Sequence, residues 1–126
     1  MYNVLIIDDS PILRSKVKEF VQTFGHSTVE AGNGQEALDA IKENNNKFDL
    51  ILCDVNMPVM DGIEFCKNYS SNDSIEKKPI FLLTTEINPD LKKKAKEYGV
   101  RVWLTKPFAP EMLKQAINHV LGSAAA

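Results

Sequence analysis

Short apolar runs recur along the chain at residues 4–7, 50–53, 80–83 and, more weakly, 102–104. The runs are continuous rather than alternating, which is typical of strands that are buried on both faces. Residues 27–29 are the poorest strand candidate. If they are counted, the pattern predicts five strands.

Between these runs, apolar residues recur with helical spacing within residues 13–24, 37–41, 91–98 and 113–121. The segment 62–69 is the least clear helix. Proline at the first helical position, where a missing N–H costs nothing, marks three helix starts: Pro11, Pro89 and Pro110. Three glycines that follow helical stretches predict helix ends: Gly25, Gly99 and Gly122. Five βα units predict an α/β fold, a doubly wound five-stranded parallel sheet with helices on both faces.

The composition indicates one globular domain, which we expect at residues 1–121, with 122–126 interpreted as a cloning remnant. Of 126 residues, 44% are hydrophobic and 25% are charged, values near globular averages. The net charge of −2 is too balanced for wholesale binding to nucleic acid or an anionic membrane. No apolar run approaches the length of a bilayer span and no secretory signal begins the chain, so we expect a cytoplasmic protein. Cys53 and Cys66 are interpreted as reduced core thiols.

Polar residues follow the predicted strands where the strands end. These residues are Asp8, Asp9 and Ser10 after the first, Asp54 after the third, Thr84, Thr85 and Glu86 at the end of the fourth, and Lys106 after the fifth. Each alone fits a helix cap, a turn residue or a surface charge. Parallel strands end at one edge of the sheet, however, and three carboxylates gathered there repel one another unless a cation intervenes.

This cluster predicts a magnesium-assisted phosphoryl site. Mg²⁺ prefers oxygen ligands and commonly uses one or two carboxylates together with a phosphate oxygen. Asp54 is the predicted nucleophile, which becomes an acyl phosphate. Lys106 is expected to neutralise charge on the phosphoryl oxygens, to which Thr84 can donate a hydrogen bond.

Several motifs resemble the receiver domain of two-component response regulators, over about residues 3–121. They are Asp8-Asp9, Asp54 with Met57-Pro58 and Asp61-Gly62, Thr84, and Lys106-Pro107-Phe108. The resemblance implies the flavodoxin-like, CheY-like strand order 2-1-3-4-5 and a cis Lys106–Pro107 bond. It implies that Asp54 takes its phosphoryl group from a histidine kinase. It also implies that Asp9, Asp54 and the main-chain carbonyl of Asn56 bind Mg²⁺, with Asp8 acting largely through a metal-bound water.

The resemblance assigns further roles beside the phosphorylation site. In this family the threonine hydroxyl, here that of Thr84, turns toward the phosphoryl group, and an aromatic residue of strand five, here Trp103, moves inward behind it. Asn56 and Glu86 influence how water reaches the acyl phosphate, which predicts a short-lived signal. The branched side chain of Thr85 is expected to narrow access to Asp54.

The fourth predicted helix carries four lysines, Lys92, Lys93, Lys94 and Lys96. Such a run of charges fits a solvated helix face. The resemblance offers another interpretation, because receivers commonly contact partners through helix four, strand five and helix five. Basic charge on that surface suits an acidic target. The segments 83–86 and 102–108 look most like stand-alone chemotaxis regulators of the CheY type. This implies a sensor histidine kinase as donor and possible binding to a flagellar motor switch component. Two other roles stay open: an intermediate in a relay that involves a histidine phosphotransfer domain, and a phosphate sink. The oligomeric state also stays open between a monomer and a weak dimer.

Two other classes fit less well. A haloacid-dehalogenase-like phosphatase places an acid/base Asp two residues after its nucleophile, where this chain has Asn56, and an amide cannot transfer that proton. A flavodoxin-like FMN carrier needs an anion-binding loop after strand one, where Asp8 and Asp9 would repel the FMN phosphate. We therefore expect a signalling phosphoacceptor, which assists its own phosphorylation and dephosphorylation, rather than an enzyme.

Overall fold

Strands and helices alternate through the computed structural model, which describes residues 1–44 and 47–122. The strands are β1 (Asn3–Ile7), β2 (Ser27–Ala31), β3 (Leu50–Cys53), β4 (Ile80–Thr84) and β5 (Val100–Thr105). The helices are α1 (Pro11–Thr23), α2 (Gly34–Glu43), α3 (Gly62–Ser71), α4 (Pro89–Glu97) and α5 (Pro110–Leu121). All neighbouring strands are parallel, in the order β2-β1-β3-β4-β5. The predicted fold and strand order are confirmed.

Two apolar layers cover the two faces of the sheet. Successive strand residues point to opposite faces, so Leu5 and Ile7 of β1 pack into the layer formed with α2, α3 and α4. Val4 and Ile6 pack into the layer formed with α1 and α5. Continuous apolar runs are needed because β1, β3 and β4 are covered on both sides.

The two weakest strand patterns belong to the two edge strands, β2 and β5. In β2 only Ala31 is buried, and in β5 only Leu104. An edge strand has a neighbour on one side only, so its side chains need less apolar character. One helical position differs from expectation: Leu13, in the apolar spacing of α1, is 43% exposed. It lies in the first turn of the helix, whereas the buried residues of α1 begin at Val17.

The helix ends follow the predicted signals. Ser10 caps α1, its hydroxyl accepting a hydrogen bond from the Leu13 N–H, and the three glycines predicted to end helices all have positive φ. The Lys106–Pro107 bond is cis. None of the helices in the described ranges is both long and apolar enough to cross a membrane. Except for Gly122, the segment interpreted as a cloning remnant lies outside the described residues.

Candidate functional site

Three carboxylates meet at the carboxyl edge of the sheet. The parallel register aligns Ile7 of β1 with Cys53 of β3, so the residues that follow, Asp8 and Asp54, lie side by side. Asp8, Asp9 and Asp54 each place a carboxylate oxygen within 4.8 Å of the others. Asp8 is buried, Asp54 half-buried and Asp9 exposed. The convergence predicted from the sequence is therefore present.

The donor atoms of this cluster fit Mg²⁺, because all of them are carboxylate oxygens, the ligands that this ion prefers. Asp9 has no hydrogen bond or ion pair with another side chain or N–H group in the described ranges. Its oxygens are thus available to a cation. Asn56 lies two residues beyond Asp54, in the loop between β3 and α3, and is exposed.

The Asp54 carboxyl has a raised pKa. Burial is the largest cause, and the neighbouring Asp8 carboxylate adds to it. Lys106, the Val55 N–H that donates to Asp54 Oδ1 over 2.8 Å, and the Thr84 hydroxyl all act in the opposite direction. The net direction shows that the negative charge on Asp54 is incompletely compensated by the protein.

Lys106 brings a cation to the acidic cluster. Its Nζ lies 3.4 Å from Asp8 Oδ2, and its side chain is only 18% exposed. Its backbone N–H donates to the carbonyl of Thr84 over 2.8 Å, so pairing of β5 with β4 positions the side chain. Lys106 is therefore held beside Asp8 and close enough to Asp54 to lower the pKa of that carboxyl.

A chain of hydrogen bonds leads from the cluster to β5. Thr84 is fully buried, and its Oγ1 accepts from the Glu86 N–H over 3.1 Å. The Glu86 carbonyl accepts from Trp103 Nε1 over 3.1 Å. On the outer side, Lys92 Nζ lies 5.7 Å from the centroid of the Trp103 ring. The backbone of Glu86 thus joins the two predicted switch residues, whereas Thr85 is exposed.

Two contacts at the site were missed at the sequence level. The Arg14 guanidinium donates to the Asp8 carbonyl over 2.6 Å and to Glu30 over 3.0 Å; no pattern in the sequence indicates this. Gly62 lies against Asp54, where an added Cβ would stand 2.1 Å from the Asp54 carbonyl oxygen. Its motif was recognised, but this close approach is visible only in the folded chain.

Cavity size does not locate this site. A cavity of about 560 Å³ lies between α2 and α3, away from the acidic cluster, and is lined by Leu38, Lys42 and Asn68 among others. The acidic cluster instead lies at a small crevice of about 10 Å³, which is lined by Asp8, Asp54 and Lys106 among others. A phosphoryl group and a cation require charged ligands rather than volume, and the acidic cluster with Lys106 provides them.

Comparison with known proteins identifies relatives of this chain. A family model described as the response regulator receiver domain matches residues 4–118. A chemotaxis protein CheY homolog of Campylobacter jejuni is 35% identical over 121 residues, which are 95% of this chain and 92% of that protein. A gliding motility regulatory protein of Myxococcus xanthus is 36% identical over 118 residues, 93% of this chain, but the match spans only 15% of its length.

Solved structures agree with these matches. Chemotaxis protein CheY4 of Vibrio cholerae superposes with a TM-score of 0.86 at 40% identity, covering 95% of this chain and 98% of that chain. A chain of the CheX–CheY–BeF3–Mg²⁺ complex from Borrelia burgdorferi gives a TM-score of 0.87 at 25% identity, covering 95% and 89%.

Proposed function

The chain belongs to the response regulator receiver family and is of the CheY type, and on that premise we propose that Asp54 accepts a phosphoryl group from a histidine kinase. Relatives of this type are signalling proteins rather than enzymes in the ordinary sense. The observation that carries the proposal is the meeting of Asp8, Asp9 and Asp54 within 4.8 Å, beside Lys106 and Thr84. We place the reaction in the cytoplasm, where the two thiols stay reduced.

In the proposed reaction, an oxygen of the Asp54 carboxylate attacks the phosphorus of a phosphohistidine. The new P–O bond forms as the P–N bond breaks, and the imidazole nitrogen leaves with the bonding electron pair. Lys106 stabilises the charge on the phosphoryl oxygens, and Thr84 donates a hydrogen bond to one of them. Phosphoryl transfer replaces the single negative charge of the Asp54 carboxylate with about two on the phosphoryl group, so the site has to compensate more negative charge after the transfer than before it.

Asp8, Asp9, Asp54 and the main-chain carbonyl of Asn56 are the groups that would hold Mg²⁺. When bound, the ion screens the negative charge of the carboxylates and of the phosphoryl oxygens. A similar chain from Borrelia burgdorferi was solved in a CheX–CheY–BeF3–Mg²⁺ complex. The presence of Mg²⁺ in that complex supports this assignment. We assign Asn56, Thr85 and Glu86 to control of hydrolysis, and expect Thr85→Ala to dephosphorylate faster because a branched side chain beside the crevice is removed.

Mass spectrometry with a small donor tests the phosphoacceptor assignment. Wild-type protein incubated with acetyl phosphate and Mg²⁺ should gain one phosphoryl adduct by intact mass, and adding excess EDTA beforehand should prevent it. Asp54→Asn should gain none, whereas Asp39→Asn, which changes the same charge on α2, should react like wild type. Failure of the wild type to form an Mg²⁺-dependent adduct would overturn the proposal.

Phosphorylation is proposed to change the surface formed by α4, β5 and α5 through Thr84, Glu86 and Trp103. A Thr84 hydroxyl that turns to the phosphoryl group must alter its contact with the Glu86 N–H, and the Glu86 carbonyl is bonded to Trp103. Trp103 is the one tryptophan of the chain, so its emission reports on this step. Formation of the phosphoryl adduct should change the Trp103 emission of wild type. At the same fraction of phosphorylated protein, the emission of Thr84→Ala should stay unchanged. An equal change in both proteins would refute the coupling.

The target of this surface is proposed to be an acidic protein segment, and a flagellar motor switch component is the first candidate. Lys92, Lys93, Lys94 and Lys96 are exposed on α4, and complementary charge accelerates association. Binding of a purified motor switch protein should be stronger with the BeF3-treated receiver than with the untreated one, and should weaken as salt is raised. Equal binding in both states would exclude a phosphorylation-dependent target of this kind.

A further inference from the structure

Val59 has an unfavourable backbone conformation in the loop between β3 and α3, which begins at Asp54. Its φ is +68°, and it is the one non-glycine residue with positive φ in the described ranges. The Met60 N–H donates to the Pro58 carbonyl over 2.7 Å, which closes a three-residue γ-turn with Val59 at its centre. Turns of this kind with positive φ are rare and strained, and β-branched side chains fit this region especially poorly.

The neighbours of Val59 keep this turn in place. Met60 is buried, and its carbonyl accepts from the Gly34 N–H over 3.2 Å. The Gly62 N–H donates to the Val55 carbonyl over 2.8 Å. Both sides of the turn are therefore fixed by contacts that do not involve the Val59 side chain. Glycine at this position would keep these contacts without the steric strain.

The Val59 side chain forms no part of the core, since it is 80% exposed. Strain kept at an exposed position suggests a functional contact. Exposed large apolar residues are also unevenly distributed over the described surface. Five of the seven lie in loops or first helical turns at the carboxyl edge of the sheet, on the side of Asp54: Ile12, Leu13, Val59, Ile87 and Met112.

We propose that the Val59 side chain is an apolar docking contact for the phosphohistidine-bearing domain that phosphorylates Asp54. The contact rests on the proposed function and adds a residue that selects protein donors. Asp54 is half-buried, so the imidazole of the donor can reach its carboxylate only if the surrounding donor surface covers the rim of the crevice, which includes the loop between β3 and α3 that begins at Asp54 and carries Val59. A small donor reaches Asp54 without touching that rim.

Phosphotransfer with protein and small donors separates the docking contact from the chemistry. A histidine kinase chosen for transfer to wild type is loaded with ³²P, and acetyl phosphate and phosphoramidate serve as small donors, the latter with the same P–N bond. Val59→Gly should lower kcat/KM for the kinase about five-fold. In free energy, this loss is a fraction of what complete burial of a valine side chain contributes. Val59→Ile should retain wild-type transfer. Val29→Gly, at an exposed valine of β2, should also transfer normally.

Reaction rates with the small donors and the stability of the variant show whether Val59→Gly affects only docking. Val59→Gly should react with both small donors at wild-type rates, and its urea midpoint should equal or exceed that of wild type. An unchanged kcat/KM for the kinase would overturn the docking contact, as would equal slowing with the small donors, which would indicate a displaced loop. Altered self-association with unchanged transfer would assign Val59 to a contact between copies instead. Failure of wild type with the small donors would reject the phosphoacceptor function itself, a distinguishable result.

Discussion

At the scale of single residues, Asp54 shows a conflict between function and stability. Its pKa is raised from the ordinary value of 3.8, first by burial and then by Asp8. The protonated carboxyl therefore stabilises the fold below pH 3.8, and this contribution is lost as the pH rises through the folded-state pKa. At pH 7 the charge opposes folding.

Replacement of Asp54 by Asn should consequently stabilise the protein at pH 7 in the absence of Mg²⁺. We expect a gain of up to about 1 kcal/mol, within the usual range of single substitutions, measured by urea unfolding. The gain should shrink as the pH falls toward 4, because the wild-type carboxyl then becomes protonated. Asp39→Asn on α2 serves as the control, and a lower urea midpoint for Asp54→Asn at pH 7 would contradict this account.

Gly62 is the second residue at which the site constrains the sequence. The requirement for glycine does not come from the φ angle. It is steric, because an added Cβ would stand 2.1 Å from the Asp54 carbonyl oxygen. Gly62→Ala should destabilise the protein by about 2 kcal/mol, as forced insertions into packed regions do, and should slow phosphorylation by acetyl phosphate. Gly32→Ala is the matched control, since its Cβ would meet only the flexible Glu36 side chain at 3.2 Å. Equal stability of the two variants would show that the close approach can relax.

At the scale of elements, His26 connects the residues that immediately precede β1 and β2, at the edge of the sheet opposite Asp54. Its Nδ1 accepts from the Tyr2 N–H over 3.2 Å, and the residue is 5% exposed. Its pKa is lowered from 6.5, mainly by burial and next by the positive N-terminus, against a smaller effect of Asp49. The unfolded chain therefore binds more protons just below pH 6.5, and stability falls there as the pH decreases.

Replacement of His26 by Gln should remove this pH dependence. Between pH 7.5 and 5.5 the Tm of wild type should fall by a few degrees more than that of His26→Gln, because the neutral amide does not titrate. His119→Gln, an exposed position on α5, is the control and should behave like wild type. Parallel decreases in all three proteins would show that another group is responsible.

Elements also differ in how well the sequence predicts them. The central strands β1, β3 and β4 have continuous apolar runs because both of their faces are covered, so their positions follow from the pattern. The edge strands β2 and β5 are half-covered and gave weak signals for that reason. Chain order and the common carboxyl edge were enough to bring Asp8, Asp9, Asp54, Thr84 and Lys106 together. Side-chain contacts such as Arg14 with the Asp8 carbonyl depend on packing between distant segments, which local pattern does not encode.

At the scale of the whole molecule, the core forms two layers on a single sheet, so both faces should lose their packing in one cooperative transition. Cys53 of β3 and Cys66 of α3 lie in the layer with α2, α3 and α4. Burial raises the pKa of both thiols, that of Cys66 to about 12. Since the thiolate is the reactive form, neither thiol should react in the folded protein.

Alkylation therefore provides a test of global cooperativity. Iodoacetamide at pH 8 should leave the folded chain unmodified over minutes and add two groups in concentrated urea, with the labelled fraction following the same urea midpoint as Trp103 emission. Trp103 packs against the same layer from β5, so it reports on the sheet while Cys66 reports on α3. A single adduct at low urea, mapped to Cys66, would show that α3 opens by itself. Coincident midpoints would instead mean that the acidic cluster, which lies at the ends of the two strands β1 and β3, is lost only when the whole sheet unfolds.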